Sequence, residues 1–226
     1  MRKQAIQALI GAAVGAVVGS LFVVNRIVAM PFFSPDQALL DHRNVLLAAA
    51  AGWVLLSLYW TVSARDATAA QRSESTASRA LHVGLTNVAL LLEIAPVHGL
   101  GRFLPVSVFV MAAGVALEAA GLLFAIWARR HLGEQWSGEI TIKQQHDLIR
   151  SGPYRRVRHP IYTGILMMYA GVLLVTGEWL ALIGFAIVAF AYWRKIRLEE
   201  RNLDEAFGRD YAAYRRESWA LVPRVY

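Results

Sequence analysis

Residues 161–192 read IYTGILMMYAGVLLVTGEWLALIGFAIVAFAY, and Glu178 is the only charged residue among them. A helix crossing a hydrocarbon layer about 30 Å thick needs roughly 20 apolar residues. This stretch is too long for one ordinary crossing, and Thr176-Gly177-Glu178 interrupts it. Glycine beside polar residues ends a helix. The stretch therefore predicts two short helices folded back as a hairpin.

Four further apolar runs precede it: Ala5–Val24, Val45–Ser63, Leu81–Val97 and Leu104–Ala128. The first follows Arg2 and Lys3 as a secretory leader would, but a leader's apolar region spans only about 7–15 residues. It reads as an uncleaved anchor. The chain has 226 residues, 57% hydrophobic and 17% charged, with no cysteine. Water-soluble domains are nearer 45–50% apolar and about 25% charged. A disordered chain, a disulfide scaffold and a cysteine-ligated metal or iron–sulfur site are all excluded. The expected fold class is all-α: a polytopic membrane protein of about five to six transmembrane helices, including the C-terminal hairpin.

Charge sets the orientation. With six crossings, the N-terminus, the loop after the second span, the loop after the fourth and the C-terminal tail share one side. All but Arg26, Arg43 and Arg102 of the 23 Lys and Arg then lie there. The positive-inside rule makes that side cytoplasmic, with both termini in it. The net charge of +7 follows from topology and anionic membrane lipid rather than from nucleic acid, since no soluble basic domain is present to read a groove. Residues 1–128 read as N-terminal transmembrane helices. Residues 129–226 read as a core of cytoplasmic loop, hairpin and tail helix. The linker Ser63–Ala80, rich in Ala, Ser and Thr, reads as a loop.

Several features carry two readings. Gly11, Gly15 and Gly19 share one helix face, which allows close approach of another helix, either within the chain or in a homo-oligomer. Glu93 and Glu118 lie inside spans, where an ionisable residue suggests function, unless each pairs with a Ser, Thr or His on a neighbouring helix. The stretch HDLIRSGPYRRVRHPIYTG, residues 146–164, is the densest polar cluster. Pro160 suits a first helical turn and restricts His159 to an extended conformation. His159 then caps the following helix, Tyr162 lies in its first turn, and free N–H groups there would favour an anionic group. Tyr154 and Tyr162 offer ring faces to a cation. The alternative is a basic loop meeting lipid phosphates, with tyrosines in the interfacial belt. In the tail, Ile196, Glu199, Leu203 and Phe207 fall on one helix face, bordered by Glu200. Two glutamates below a hairpin could hold a cationic or amino-bearing cofactor, or Lys195 and Glu199 could form an ordinary i,i+4 pair. Histidines 42, 82, 98, 131, 146 and 159 are scattered without ligand spacing, so no metal is expected.

Together, SGPYRRVRHPIYTG (151–164), the hairpin, EERNLDEAFGRDYAAY (199–214) and LGEQWS (132–137) resemble the isoprenylcysteine carboxyl methyltransferases and the related phospholipid N-methyltransferases. The resemblance covers roughly residues 115–223. It implies S-adenosylmethionine bound in a cytoplasmic pocket without a Rossmann domain. It places cofactor contacts on His146, Asp147, Leu148, Ile149, Tyr154, His159, Pro160, Ile161, Tyr162 and Glu199. The family's substrate-contacting arginine falls on Lys195, which keeps the charge but loses the bidentate fork. The implied activity is membrane methyl transfer to a lipophilic acceptor such as a prenylcysteine-type carboxylate, with Lys195 orienting the acceptor and Glu199 anchoring the cofactor as the catalytic pair. Expected partners are a lipophilic small-molecule or lipid substrate and membrane lipids. Rival activities are ethanolamine-headgroup N-methylation and S-methylation of a small thiol. A non-catalytic module that binds lipid or a partner through its basic face is the alternative outside enzymes.

Overall fold

A computed structural model describes residues 37–63, 72–73, 75–94, 100–105, 107–133, 141–142 and 148–226. The first expected span and its three glycines lie outside the described residues. Among the described residues the elements run α1 (Gln37–Ser63), β1 (Arg72–Ser73), α2 (Thr76–Ile94), α3 (Val108–Leu132), β2 (Thr141–Ile142), a 3₁₀ turn (Gly152–Arg155), α4 (Pro160–Thr176), α5 (Trp179–Phe207) and α6 (Arg209–Glu217). Three stretches, Val45–Ser63, α3 and α5, are long and apolar enough to cross a membrane. The fourth, α4, is apolar but shorter. The chain is a mostly helical, polytopic membrane protein. It is not purely helical: β1 pairs antiparallel with β2, Arg72 opposite Ile142. The linker expected to be loop as far as Ala80 thus supplies a strand, and it turns helical at Thr76.

The hairpin breaks where its sequence is interrupted. Gly177 takes a left-handed conformation at φ 60 and donates its N–H to Leu173 C=O. Phe103 and Leu104 donate to Gly177 C=O at 2.9 and 3.2 Å, and Trp179 donates to Gly101 C=O at 3.3 Å. The 101–104 segment thereby satisfies backbone groups that apolar surroundings would leave costly. Exposed rings mark both ends of the bundle. Phe109 and Trp179 lie at this end, and Trp127 and Trp193 at the other, as interfacial belts require. A difference from expectation follows the bend. The second arm does not stop near Tyr192, with a separate tail helix beyond it. Helix α5 runs unbroken to Phe207, because nothing between 193 and 207 is Gly or Pro.

Small residues set how closely the helices approach. A Cβ on Gly121 would come 2.5 Å from Gly164 C=O, and one on Gly164 would come 2.6 Å from Gly121 C=O. Seven residues along each helix, Gly114 and Gly171 repeat the arrangement at 2.7 and 2.6 Å. Helices α3 and α4 therefore meet backbone to backbone, antiparallel. This glycine spacing of seven carries the contact, and a search for G-x-x-x-G does not find it. Gly184 of α5 approaches Ala89 C=O of α2 in the same way. Around these contacts Leu56, Leu122, Ala125 and Met168 form one buried cluster, and Ala89, Tyr169, Val188 and Tyr192 another. Glu93 is fully buried, and Glu118 nearly so against Gly52 and Gly171. Neither Glu93 oxygen, nor Glu118 Oε1, has a hydrogen-bond partner among the described residues. The Ser, Thr or His partners that the sequence allowed are not found there, and His98 lies outside the described residues.

Replacing Gly121 by Val forces α3 and α4 apart. Overpacking of this kind costs about 1–3 kcal/mol. Thermal unfolding in detergent should show a lower Tm for Gly121→Val than for Gly84→Val, since a Cβ at Gly84 meets nothing within 4 Å.

Candidate active site

The site forms where α4 begins and α5 passes it. Pro160 occupies the first helical position, and His159 precedes it with φ −122 and ψ 59. That geometry is neither extended, as expected, nor helical. A C-terminal strap fixes it: Arg158 N–H donates to Trp219 C=O at 2.8 Å, His159 N–H to Ala220 C=O at 3.1 Å, and Trp219 N–H to Arg156 C=O at 3.0 Å. Thr163 Oγ1 adds a bond to Leu221 C=O at 2.9 Å. The N–H groups of Arg158 and His159, just before the helix, are thus bonded to the strap.

Negative charge arrives from α5. Tyr162 Oη donates to Glu199 Oε2 at 2.9 Å. The buried His159 ring lies between two carboxylates, with Nδ1 3.5 Å from Glu199 Oε2 and Nε2 3.4 Å from Glu200 Oε1. The rings of His159 and Tyr162 stack, 5.5 Å apart and 3° from parallel. Glu200 is occupied a second time: Arg158 Nε donates to its Oε1 at 2.8 Å. Arg158 also reaches Ser218 C=O, which ties the strap to the pair. The two glutamates therefore differ in task. The Glu200 side chain is 8% exposed and neutralised by Arg158, whereas the Glu199 side chain is 30% exposed and remains reachable.

Most of the expected contacts converge here. Lys195, one turn before Glu199, holds its ammonium over the Tyr162 ring, 5.6 Å from the centroid. Tyr154 is buried and faces Ala128 and Ile161, with Ile149 packed against the same cluster. Its carbonyl accepts the Tyr214 hydroxyl, and burial pushes its own hydroxyl pKa up. Ile161 and Pro160 are buried as packing residues. Leu148 is half-buried ahead of this cluster. His146 and Asp147 lie outside the described residues. Sequence reasoning passed over Arg158 as one loop arginine among many, the Ser218–Leu221 strap, and Tyr192, whose ring lies 5.0 Å from that of Tyr162. The R-H-P order could have flagged Arg158. Nothing local flags the strap, which is defined only by what it pairs with. Arg129, counted as a loop charge, is buried, and its guanidinium donates to Ser63 C=O at 2.6 Å and Gly133 C=O at 2.9 Å.

Burial alone would lower the pKa of His159, but hydrogen bonds and charge from Glu199 and Glu200 outweigh it and raise the pKa above the ordinary 6.5. A raised folded-state pKa gives stability that is complete below pH 6.5 and is lost as pH rises through the raised value. The Tm of the unaltered protein in detergent should fall across that window on going alkaline. His159→Gln should flatten the dependence, as a melting series from pH 6 to pH 9 would show.

Residues 109–210 match the family model described as phospholipid methyltransferase. A protein-S-isoprenylcysteine O-methyltransferase B of Arabidopsis thaliana is 32% identical over 38% of this chain and 45% of its own length. A probable protein-S-isoprenylcysteine O-methyltransferase of Oryza sativa subsp. indica is 30% identical over 52% of this chain and 63% of its own. The matches thus span about half to three-fifths of these relatives. A solved structure of a eukaryotic intramembrane Ras methyltransferase, an isoprenylcysteine carboxyl methyltransferase, overlays with a TM-score of 0.45 at 14% identity, covering 99% of this chain and 97% of the other. Residues 109–210, which carry α3, the hairpin and every described member of the His159–Glu199 cluster, are thus the part of the chain that is similar to the phospholipid methyltransferases.

Proposed function

We propose that the protein is a membrane methyltransferase that uses S-adenosylmethionine and methylates a lipophilic acceptor ending in a carboxylate, of the prenylcysteine type. The observation that carries this reading is the reachable Glu199 carboxylate, rimmed by the rings of His159 and Tyr162. This donor set fits a ligand bearing both a positive charge and an amino group: a carboxylate to pair with them, aromatic faces to pack against, and a histidine to hydrogen-bond. Glu199 anchors the cofactor, Tyr154 and Tyr162 pack against it, and His159 hydrogen-bonds it. His146, Asp147, Leu148, Ile149, Pro160 and Ile161 complete its surroundings. When bound, S-adenosylmethionine supplies a methyl carbon already activated by its sulfonium. No residue is then needed to generate a nucleophile from a carboxylate acceptor. The chain's contribution is positioning, which supplies several kcal/mol of avoided entropy when reacting groups are held in line. Lys195 orients the acceptor carboxylate. The buried rings around the site exclude water, which strengthens attraction between opposite charges there.

Orientation belongs to the same reading. The basic residues gather at the His159 end, so that end and both termini face the cytoplasm. The cofactor enters from there and the acceptor from the bilayer. The division at residue 128 then separates membrane scaffold from methyltransferase core, although α3 of the scaffold packs directly on α4. One observation favours a second acceptor. Lysine replaces a forked arginine at 195 while the family model is that of phospholipid methyltransferases, which fits ethanolamine-headgroup N-methylation.

Glu199→Ala should abolish binding of S-adenosylmethionine, read by calorimetry, while the protein still elutes as a folded species in detergent. Unchanged affinity would remove Glu199 from this role. Radiolabelled methyl donor offered with N-acetyl-S-farnesylcysteine or with phosphatidylethanolamine vesicles should label the first. Label in the lipid alone would establish the second reading.

A further inference from the structure

The buried His159 ring presents both of its nitrogens to carboxylates, Nδ1 at 3.5 Å from Glu199 Oε2 and Nε2 at 3.4 Å from Glu200 Oε1. A neutral imidazole has one N–H and one lone pair, so one of these contacts would set a lone pair against a carboxylate oxygen. Only the doubly protonated ring donates to both. Burial opposes that charge, and hydrogen bonds and charge from Glu199 and Glu200 outweigh it. The other charged groups around the ring are directed elsewhere. Arg158, just before α4, is bonded to Glu200 at 2.8 Å. Tyr162 of α4 donates its hydroxyl to Glu199, and Lys195 of α5 lies over the Tyr162 ring. Arg215 of α6 turns its guanidinium to Asp204 at 2.9 Å. Burial keeps the phenols of Tyr211 and Tyr214, also on α6, neutral. The strap contributes backbone carbonyls and Ser218. Two carboxylates thus balance two cations, Arg158 and the His159 imidazolium. Glu199 is the more exposed of the two carboxylates, so a cation that pairs with it weakens the hold on the second proton of His159.

We propose that His159 is a specificity-determining residue that gives up a proton when a sulfonium cofactor occupies the site beside Glu199, and keeps it when the uncharged product of that cofactor does. The proton leaves Nδ1 for water on the cytoplasmic side, and the remaining N–H stays directed at Glu200. In methyl transfer the sulfur–methyl bond breaks, the methyl carbon bonds to the acceptor, and the sulfur keeps the electron pair as a neutral thioether. One positive charge leaves the site, and His159 takes a proton back from water. His159 is therefore neutral with S-adenosylmethionine and protonated with S-adenosylhomocysteine. The inference rests on the cofactor proposed above and adds how the site separates fresh cofactor from spent.

The test is calorimetric titration of the detergent-solubilised protein at pH 6.5 with each of the two ligands, in phosphate and in Bis-Tris, whose ionisation enthalpies differ. The amino group of both ligands is charged at that pH, so it does not distinguish them. The dependence of the observed heat on buffer should report roughly half a proton or more released per S-adenosylmethionine, and markedly less per S-adenosylhomocysteine. The affinity ratio of the first ligand to the second should climb between pH 5.5 and pH 7.5, by up to about tenfold per pH unit. His159→Gln keeps a donor toward Glu199 and does not titrate, so it should release no proton with either ligand and give a flat ratio. If the variant does not fold, the ratio measured on the unaltered protein decides. Equal proton release for the two ligands, a flat ratio in the unaltered protein, or release that persists in His159→Gln overturns the role of His159 while the cofactor reading stands. If S-adenosylmethionine does not bind, the cofactor reading itself fails and this role falls with it.

Discussion

The pairing of Tyr162 with Glu199 depends on one geometric constraint: the second arm of the hairpin has to return past the start of the first. Helix α4 rises from Pro160 to Thr176, the chain reverses at Gly177, and α5 descends the same distance and continues. Had α5 ended with its apolar stretch near Tyr192, Lys195, Glu199 and Glu200 would have been in a loop with no fixed direction. A continuous helix instead carries them at fixed intervals past His159. The reversal is itself held by the 101–104 segment, so a loop at one end of the bundle sets the geometry at the other.

The polar cluster works as a graded electrostatic device. Two carboxylates meet one histidine, and a single arginine decides which of them is spent. Arg158 and the buried His159 occupy Glu200 and lock it to the C-terminal strap. Glu199 shares the histidine and a tyrosine hydroxyl but retains exposure. The Arg158–Glu200 and Tyr162–Glu199 bonds, at 2.8 and 2.9 Å, have the length of charge-assisted hydrogen bonds, and they fix the two carboxylates on either side of the His159 ring, 3.4 and 3.5 Å from it. The stacked His159 and Tyr162 rings therefore present a stable wall, with Lys195 covering the Tyr162 face.

Beneath this wall the bundle is held by backbone approach. In lipid, apolar side chains gain little by meeting one another, so small residues that let helices touch become the main adhesive. The paired glycines at 121 and 164, and at 114 and 171, perform that task between α3 and α4. They join the family-matched segment into one body.

The sequence by itself determined the membrane class, the hairpin break, three of the spans and the two motifs that carry the site. These are local properties: apolar length, a glycine that can adopt positive φ, and residues a few positions apart. It also placed Tyr154, His159, Tyr162, Lys195 and Glu199 in one group, through resemblance. The sequence did not reveal that α5 would run on to Phe207, that Arg158 would take Glu200 out of circulation, that residues 218–221 would splint His159, or that His82 of a distant helix would meet the Tyr192 ring edge-on. Each of those depends on which segments become neighbours after folding. A buried ion pair or an edge-on ring contact has no periodicity of its own. It is defined by partners 40 to over 100 residues away, and only the packed helices bring those within reach.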